Sequence, residues 1–341
     1  MPDTNPRNKS AEKEWSPEPA TLAPINFWPP RPVKVFKWLF GFPGFLWPEN
    51  LLILGITLII WFFLTPDLST MKSFEAWWVA LLFARNFALI LILYGGAHLY
   101  FYVYKLQGNV SKFTKQPLAT DSSRFLFKSQ VLDNMFHTLA IGVPIITVYE
   151  TITYWAFANG YLGFIDLGTN PVLFWCWFGL LLLLTPMIHS IVFYFVHRLL
   201  HTKSLYKSVH ALHHRNVVVG PWSGLDMHLV EHILYFSTVV VQWLLALHPV
   251  NALFQIHVAA IYPLTGHLGY EKLTIGGKEK FDFGGHFHYL HHKFFECNYG
   301  TGVVGLDKLF GTFHDGSKES QAALREYIRA KRKQTAQGVS D

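Results

Sequence analysis

His210, His213 and His214 form one H-x-x-H-H group, and His288, His291 and His292 form a second one later in the chain. Two H-x-x-x-H pairs accompany them, His197/His201 and His228/His232, and His267 stands alone in a Gly-His-Leu-Gly-Tyr run. Fourteen of the 18 histidines fall between His197 and His292. Imidazole is the commonest protein ligand for transition metals. On a helix, spacings of three and four bring side chains onto one face, so each group can aim two or three nitrogens at one point. Ten or eleven imidazoles exceed what one metal takes and suit two. An all-nitrogen set fits iron, zinc, copper or nickel and argues against magnesium and calcium.

The elements that must position these histidines are membrane helices. The 341 residues are 51% hydrophobic and 15% charged, against roughly 25% charged in a soluble domain, and the 17% aromatic content suits interfacial belts. Apolar spans are expected at 51–65, 74–103, 131–158 and 171–195. Arg85 falls inside the second and must be paired or snorkel. A further apolar region, 229–264, is broken at His248-Pro249. Each half is short for a crossing, so a tilted pair or a re-entrant hairpin is expected, with the chain returning to the side it left.

Lys and Arg concentrate in the N-terminal segment, 104–130, 196–228 and 266–341, whereas the opposite side has Lys72. By the positive-inside pattern both termini and all the histidine groups face the cytosol. The net charge of +6 is therefore an orientation signal, and no nucleic-acid partner is expected. Cys176 and Cys297 give no disulfide framework. No cleavable signal peptide is expected.

The expected fold class is thus all-α integral membrane. About four transmembrane helices and a re-entrant or short helical hairpin are capped by a cytosolic histidine-rich helical domain. The expected divisions are a disordered polar tail at 1–35, a transmembrane region at 36–195, a histidine-box region at 180–315 and a charged C-terminal tail at 316–341. Within the second, Phe36 to Trp47 has the Phe, Trp and Gly content of a segment lying on the membrane surface. Within the last, 317–333 reads as a surface helix with Ser317 as its N-cap.

The order H-x3-H, H-x2-H-H, H-x3-H, H-x2-H-H resembles the integral-membrane fatty acid hydroxylase/sterol desaturase superfamily over about residues 185–315. The stretch from His288 through Asn298-Tyr299-Gly300 to Leu306-Asp307-Lys308-Leu309-Phe310-Gly311-Thr312 is similar to the ending of sterol methyl oxidases. The resemblance implies that His197, His201, His210, His213, His214, His288, His291 and His292 ligate a dimetal centre. His228, His232 and His267 match positions that are ligands or near-ligands in subsets of the family. Where many relatives have His-Pro, this chain has His228-Leu229. No His-Pro-Gly-Gly haem signature is present, so electrons are expected from a separate reductase or cytochrome.

Glu231 and Asp226 are expected to orient ligand imidazoles, Asn298 to cap or bond a ligand, and His286 to support the site without ligating. His189 is expected to be a buried, hydrogen-bonded histidine.

The expected function is O2-dependent oxidation of a membrane lipid by two iron ions, as hydroxylation or desaturation, with sterol favoured over fatty acid. Zinc can occupy such a site in purified protein. The alternative is a non-catalytic membrane protein with a structural zinc–histidine cluster. The endoplasmic reticulum is expected for a eukaryotic host and the inner membrane for a bacterial one.

Overall fold

The computed structural model describes residues 16–336. Four helices are long and apolar enough to cross a membrane: α2 (Leu46–Phe63), α3 (Ala76–Val103), α4 (Gln130–Ala158) and α5 (Pro171–Leu200). They follow α1 (Pro32–Phe40) and match the four expected spans closely. Helix α5 starts cleanly because Asn170 accepts from the Val172 N–H and Pro171 occupies the first turn. That pairing satisfies one orphan donor and presets φ.

The region after the second span pair forms α6 (Leu229–Leu245), an apolar helix interrupted by a 3-10 turn at Ser237–Val239, and α7 (Pro249–Gly266). The break at His248-Pro249 is where the hairpin folds: His248 Nδ1 accepts from the Val250 N–H and opens α7. Helix α7 is apolar on all sides and buried over nearly its whole length, as such a helix must be. It packs against α2, α4 and α5. Its 18 residues make about 27 Å of helix. This half of the hairpin is therefore the central core helix of the bundle and not a lipid-facing element. Both open ends of the hairpin return to the histidine region, since α6 begins just after His228 and α7 ends just before His267.

Inside the bundle, Arg85 pairs with Glu150. Asn86 donates to the same carboxylate at 2.8 Å, and Arg85 also reaches Thr65 Oγ1 at 3.1 Å. An unpaired charge at this depth would cost several kcal/mol, so the partner explains how α3 tolerates the arginine.

The all-α expectation needs one correction. β1 (Lys272–Ile275) and β2 (Lys278–Asp282) form an antiparallel hairpin. Its two-residue turn is Gly276-Gly277, with φ of +59° and +74°. Glycine supplies that left-handed geometry without a Cβ clash, and Gly-Gly between strand-like residues was the signal in the sequence.

Helix α8 (His286–Phe294) and α9 (Lys318–Ala336) complete the chain. Ser317 caps α9 through the Ser320 N–H at 3.1 Å.

The expected tail at 1–35 lies in part, 1–15, outside the described residues. The part that is described is tied down. Ala20 N–H donates to Asp315 O and Ala23 N–H to Gly302 O, and Asn26 bridges Val303 O and the Gly305 N–H. These backbone bonds across the C-terminal loops override the polar composition.

Candidate metal centre

Five elements bring the histidines together. His197 lies in the last turn of α5 and His201 caps it, four residues apart and so on one face. The short helical turns Tyr206–His210 and Ala211–His214 supply the first H-x-x-H-H group. His267 follows α7, and α8 carries the second group. The result is two clusters. His197, His201, His210, His214 and His291 form one, and His213, His267, His288 and His292 form the other. In each, the candidate ligand atoms all lie within 4.8 Å of one another.

The hydrogen bonds at the other ring nitrogens decide what these clusters can hold. His197 Nδ1 faces Tyr299 O at 2.7 Å, His291 Nδ1 faces Cys297 O at 2.6 Å, His213 Nδ1 faces Asp226 O at 3.2 Å, and His267 Nδ1 faces Pro263 O at 2.8 Å. A carbonyl oxygen only accepts, so each of these Nδ1 atoms carries the proton and each Nε2 presents a lone pair.

Yet the Nε2 atoms of His213 and His267 are 3.3 Å apart, and those of His267 and His292 are 3.0 Å apart. In the other cluster, His201, His214 and His291 approach one another pairwise at 3.0–3.2 Å through Nε2. Neutral imidazoles aiming lone pairs at one another repel, and protonation is opposed by burial. Desolvation holds His213 down at about 4 and pushes His210, His214, His267, His288, His291 and His292 well below the ordinary histidine value. A cation between the nitrogens resolves the conflict. The donor set therefore fits transition-metal ions, and His197, His213, His267 and His291 are already in the tautomer that ligation through Nε2 requires.

Nine of the eleven expected ligands are gathered in this way. His228 and His232 are not, which corrects that part of the reading. His228 serves as the N-cap of α6, its Nδ1 accepting from the Val230 N–H at 3.2 Å. His232 is fully buried against Gly142, where an added Cβ would sit 2.8 Å from its ring. His232 is packed inside the bundle and belongs to neither cluster.

Glu231 does orient a ligand, with Oε1 2.7 Å from His210 Nδ1; burial raises its carboxyl well above the ordinary range, with Asp226 adding to the rise.

Asp226 acts differently from expectation. Its backbone carbonyl, not its carboxylate, meets His213, while the carboxylate binds Arg215 at 3.2 Å, Asn216 at 2.6 Å and His137 at 2.9 Å. Asp133, His137 and Asp226 form a third cluster of potential ligand atoms, but the Arg215 guanidinium sits 2.9 Å from Asp133 and makes it an ion-pair network. Asn298 bonds no ligand. Its side chain donates to Phe287 O and His314 O and accepts from the His314 N–H, so it locks the loop after α8. His286 belongs to neither cluster. His189 is buried and bonded to Gln255 at 3.3 Å.

Sequence reasoning missed Asp307, whose carboxylate takes the Tyr299 and Gly300 N–H groups at 2.8 Å and the Thr312 hydroxyl at 2.6 Å. It thereby holds Tyr299 O against His197. The signal was its place in the Leu-Asp-Lys-Leu run that carries the resemblance.

A cavity of about 280 Å³ opens onto both clusters. His197, His210, His213, His267 and His288 line one part, and Phe193, Leu200, Met227, Tyr235, Tyr262 and Phe287 line much of the rest. Trp38 and Phe45 close it from the N-terminal side.

Residues 182–312 match the sequence model of the fatty acid hydroxylase family, which bears out the resemblance read from the histidine groups. A Delta(7)-sterol 5(6)-desaturase of Gibberella zeae is 29% identical over 158 residues, covering 46% of this chain and 48% of that protein. Methylsterol monooxygenase 2-1 of Arabidopsis thaliana is 31% identical over 157 residues, covering 41% of this chain and 57% of its own. Fatty acid hydroxylase domain-containing protein 2 of Macaca fascicularis is 31% identical over 140 residues, covering 40% and 39%. The chain thus spans about half the length of the curated relatives it matches. No solved structure matches it.

Proposed function

We propose that this chain is a membrane-bound di-iron oxidoreductase that uses O2 to hydroxylate or desaturate a C–H bond of a membrane lipid, sterol in preference to fatty acid. One observation carries the reading: two buried groups of neutral histidines, with opposed Nε2 lone pairs, share an apolar cavity at the end of a membrane-type helix bundle. The names of the relatives support the sterol preference.

Two iron ions, when bound by the nine histidines, supply the redox chemistry that activates O2 toward an inert C–H bond. The chain's residues do the rest. The carbonyls of Asp226, Pro263, Cys297 and Tyr299 fix the tautomer and direction of four ligands, and Glu231 fixes the direction of a fifth, His210. Phe193, Leu200, Met227 and Phe287 exclude water and hold an apolar substrate against the clusters.

Beside the cavity-lining Trp38 and Phe45, the apolar side chains of Val33, Phe36, Phe40, Phe42 and Trp47 are exposed. This is the surface of a segment bedded in the membrane interface, and it gives a lipid a route in from the bilayer. The histidine end faces the cytosol, where a separate electron-donor protein docks.

The test is metal content per chain in detergent-purified protein after iron-replete expression, followed by O2 uptake with a reductant and lipid. About two irons and lipid-dependent uptake support the reading. Zinc that iron does not displace, without uptake, would establish a structural cluster instead.

A further inference from the structure

The cavity contains a carboxyl that the metal centre does not use. Glu49, at the start of α2, lines it together with Asn50, Tyr262 and Thr265. Asn50 and Tyr262 beside it are satisfied within the protein. Asn50 donates to Phe45 O at 2.6 Å and accepts from the Tyr262 hydroxyl at 2.6 Å. Glu49 is different. Its Oε1 accepts from the Thr265 hydroxyl at 2.7 Å, and among the described residues its other oxygen has no partner and its carboxylate no cation within salt-bridge reach. A carboxyl in an apolar cavity without a second partner is costly unless a ligand meets it.

We infer that the Glu49 carboxyl receives a hydroxyl group of the substrate, placed close to the carbon that is oxidised, so that the substrate is a neutral lipid alcohol with the hydroxyl near the reacting carbon. The inference rests on the lipid-oxygenase reading above and narrows its substrate. Thr265, which holds Glu49, lies two residues before His267, a member of the four-histidine cluster, and all three line the same cavity. A lipid anchored at Glu49 by its hydroxyl has its nearest carbons beside that cluster. In a sterol the ring hydroxyl lies within a few bonds of several ring carbons and a substituent methyl, whereas the tail is remote. A fatty acid is disfavoured in the same cavity, because among the described residues no Lys or Arg lines it to receive a carboxylate and Glu49 would meet that anion directly.

The experiment uses the full chain in detergent and measures competition against labelled cholesterol by unlabelled cholesterol, its 3-deoxy analogue and palmitate, with metal content recorded for every sample. Wild type should bind cholesterol roughly tenfold or more tighter than the deoxy analogue, as expected for a hydrogen bond to a charged group in the cavity, and palmitate should compete weakly. Glu49→Leu should remove the preference while iron content stays as in wild type. Glu49→Gln, which keeps an acceptor oxygen, should retain part of it. Where Glu49→Leu does not accumulate, Glu49→Gln and Thr265→Val carry the test, both weakening the preference. Equal binding of cholesterol and the deoxy analogue by wild type, or an undiminished preference in the variants, overturns the assignment and leaves the oxygenase reading standing. A preference lost in the variants, in a protein that takes up no O2 with any lipid, upholds Glu49 as the hydroxyl site and overturns the oxygenase reading.

Discussion

Two buried polar clusters in this molecule are built on opposite principles. In the middle of the bundle, Arg85 and Asn86 of α3 donate to Glu150 of α4, and Asn86 also donates to Thr147 at 3.2 Å. Donors meet acceptors and opposite charges meet within the chain, with Arg85 Nε alone of the guanidinium nitrogens left unbonded. At the end of the bundle, nine imidazoles gather with nitrogen facing nitrogen, while the outer nitrogens of five of them meet four carbonyls and a carboxylate. The first cluster joins helices. The second is organised around something the chain does not contain. A buried polar group tells little by itself; the sign of what faces it separates a structural contact from a site.

The sharpest test of that contrast is His213→Ala. It should abolish turnover and reduce bound metal, while expression changes little, because the nitrogen it removes makes one bond to a backbone carbonyl. An active variant with full metal content would break the ligand assignment.

Next, Arg85→Met or Glu150→Leu alone should destabilise the fold by about 3–5 kcal/mol, and the double variant by much less, since a lone buried charge costs more than a missing pair. Thermal unfolding in detergent reads the difference, and metal per folded chain should be unaffected. Loss of metal in the double variant would show that the two clusters are not independent.

Glu231→Gln should weaken metal binding by roughly 10- to 100-fold, through the lost orientation of His210; a chelator competition measures it.

Acidification should act on the histidine centre and spare the ion pair. His213 is held at about 4 in the fold against roughly 6.5 when unfolded. The unfolded chain therefore binds more protons between those values. The stability from this group is complete above about 6.5 and is lost as pH falls toward 4. Thermal unfolding of the metal-free protein followed from pH 7 to 4 should show stability declining over that window; stability unchanged at pH 4 would contradict it.

The smallest effect is expected from His228→Asn, which keeps an N-cap acceptor on α6. It should leave metal content and turnover near wild type, whereas a ligand at that position would not tolerate the change.

Much of the membrane architecture was legible in the sequence, because a span is encoded by a continuous apolar run and the four runs appear where the helices do. The hairpin after His228 was legible only as a break at His248-Pro249. Length alone could not say that α7 would be enclosed by α2, α4 and α5. The β-hairpin at 272–282 was missed because charged residues obscure its alternation, although Gly276-Gly277 marks its turn.

For the site, spacing identified the histidine groups but could not sort His213 from His214. These adjacent residues enter different clusters, because neighbours on a helix point about 100° apart. Nor could spacing remove His232, whose i,i+4 relation to His228 is the same as that of His197 to His201. Glu49 was invisible, since nothing local to Leu46–Asn50 hints at a cavity formed with α7.

The sequence by itself determined the helix spans, the metal-suited residue types and the resemblance that the family match bears out. These are local properties, written in hydrophobic runs and short spacings. The tertiary structure decided which nitrogens converge, which tautomer four of the rings hold, and that a carboxyl from the start of α2 shares a cavity with His267. Those depend on contacts between residues far apart in the chain, and only packing fixes the direction in which a side chain points.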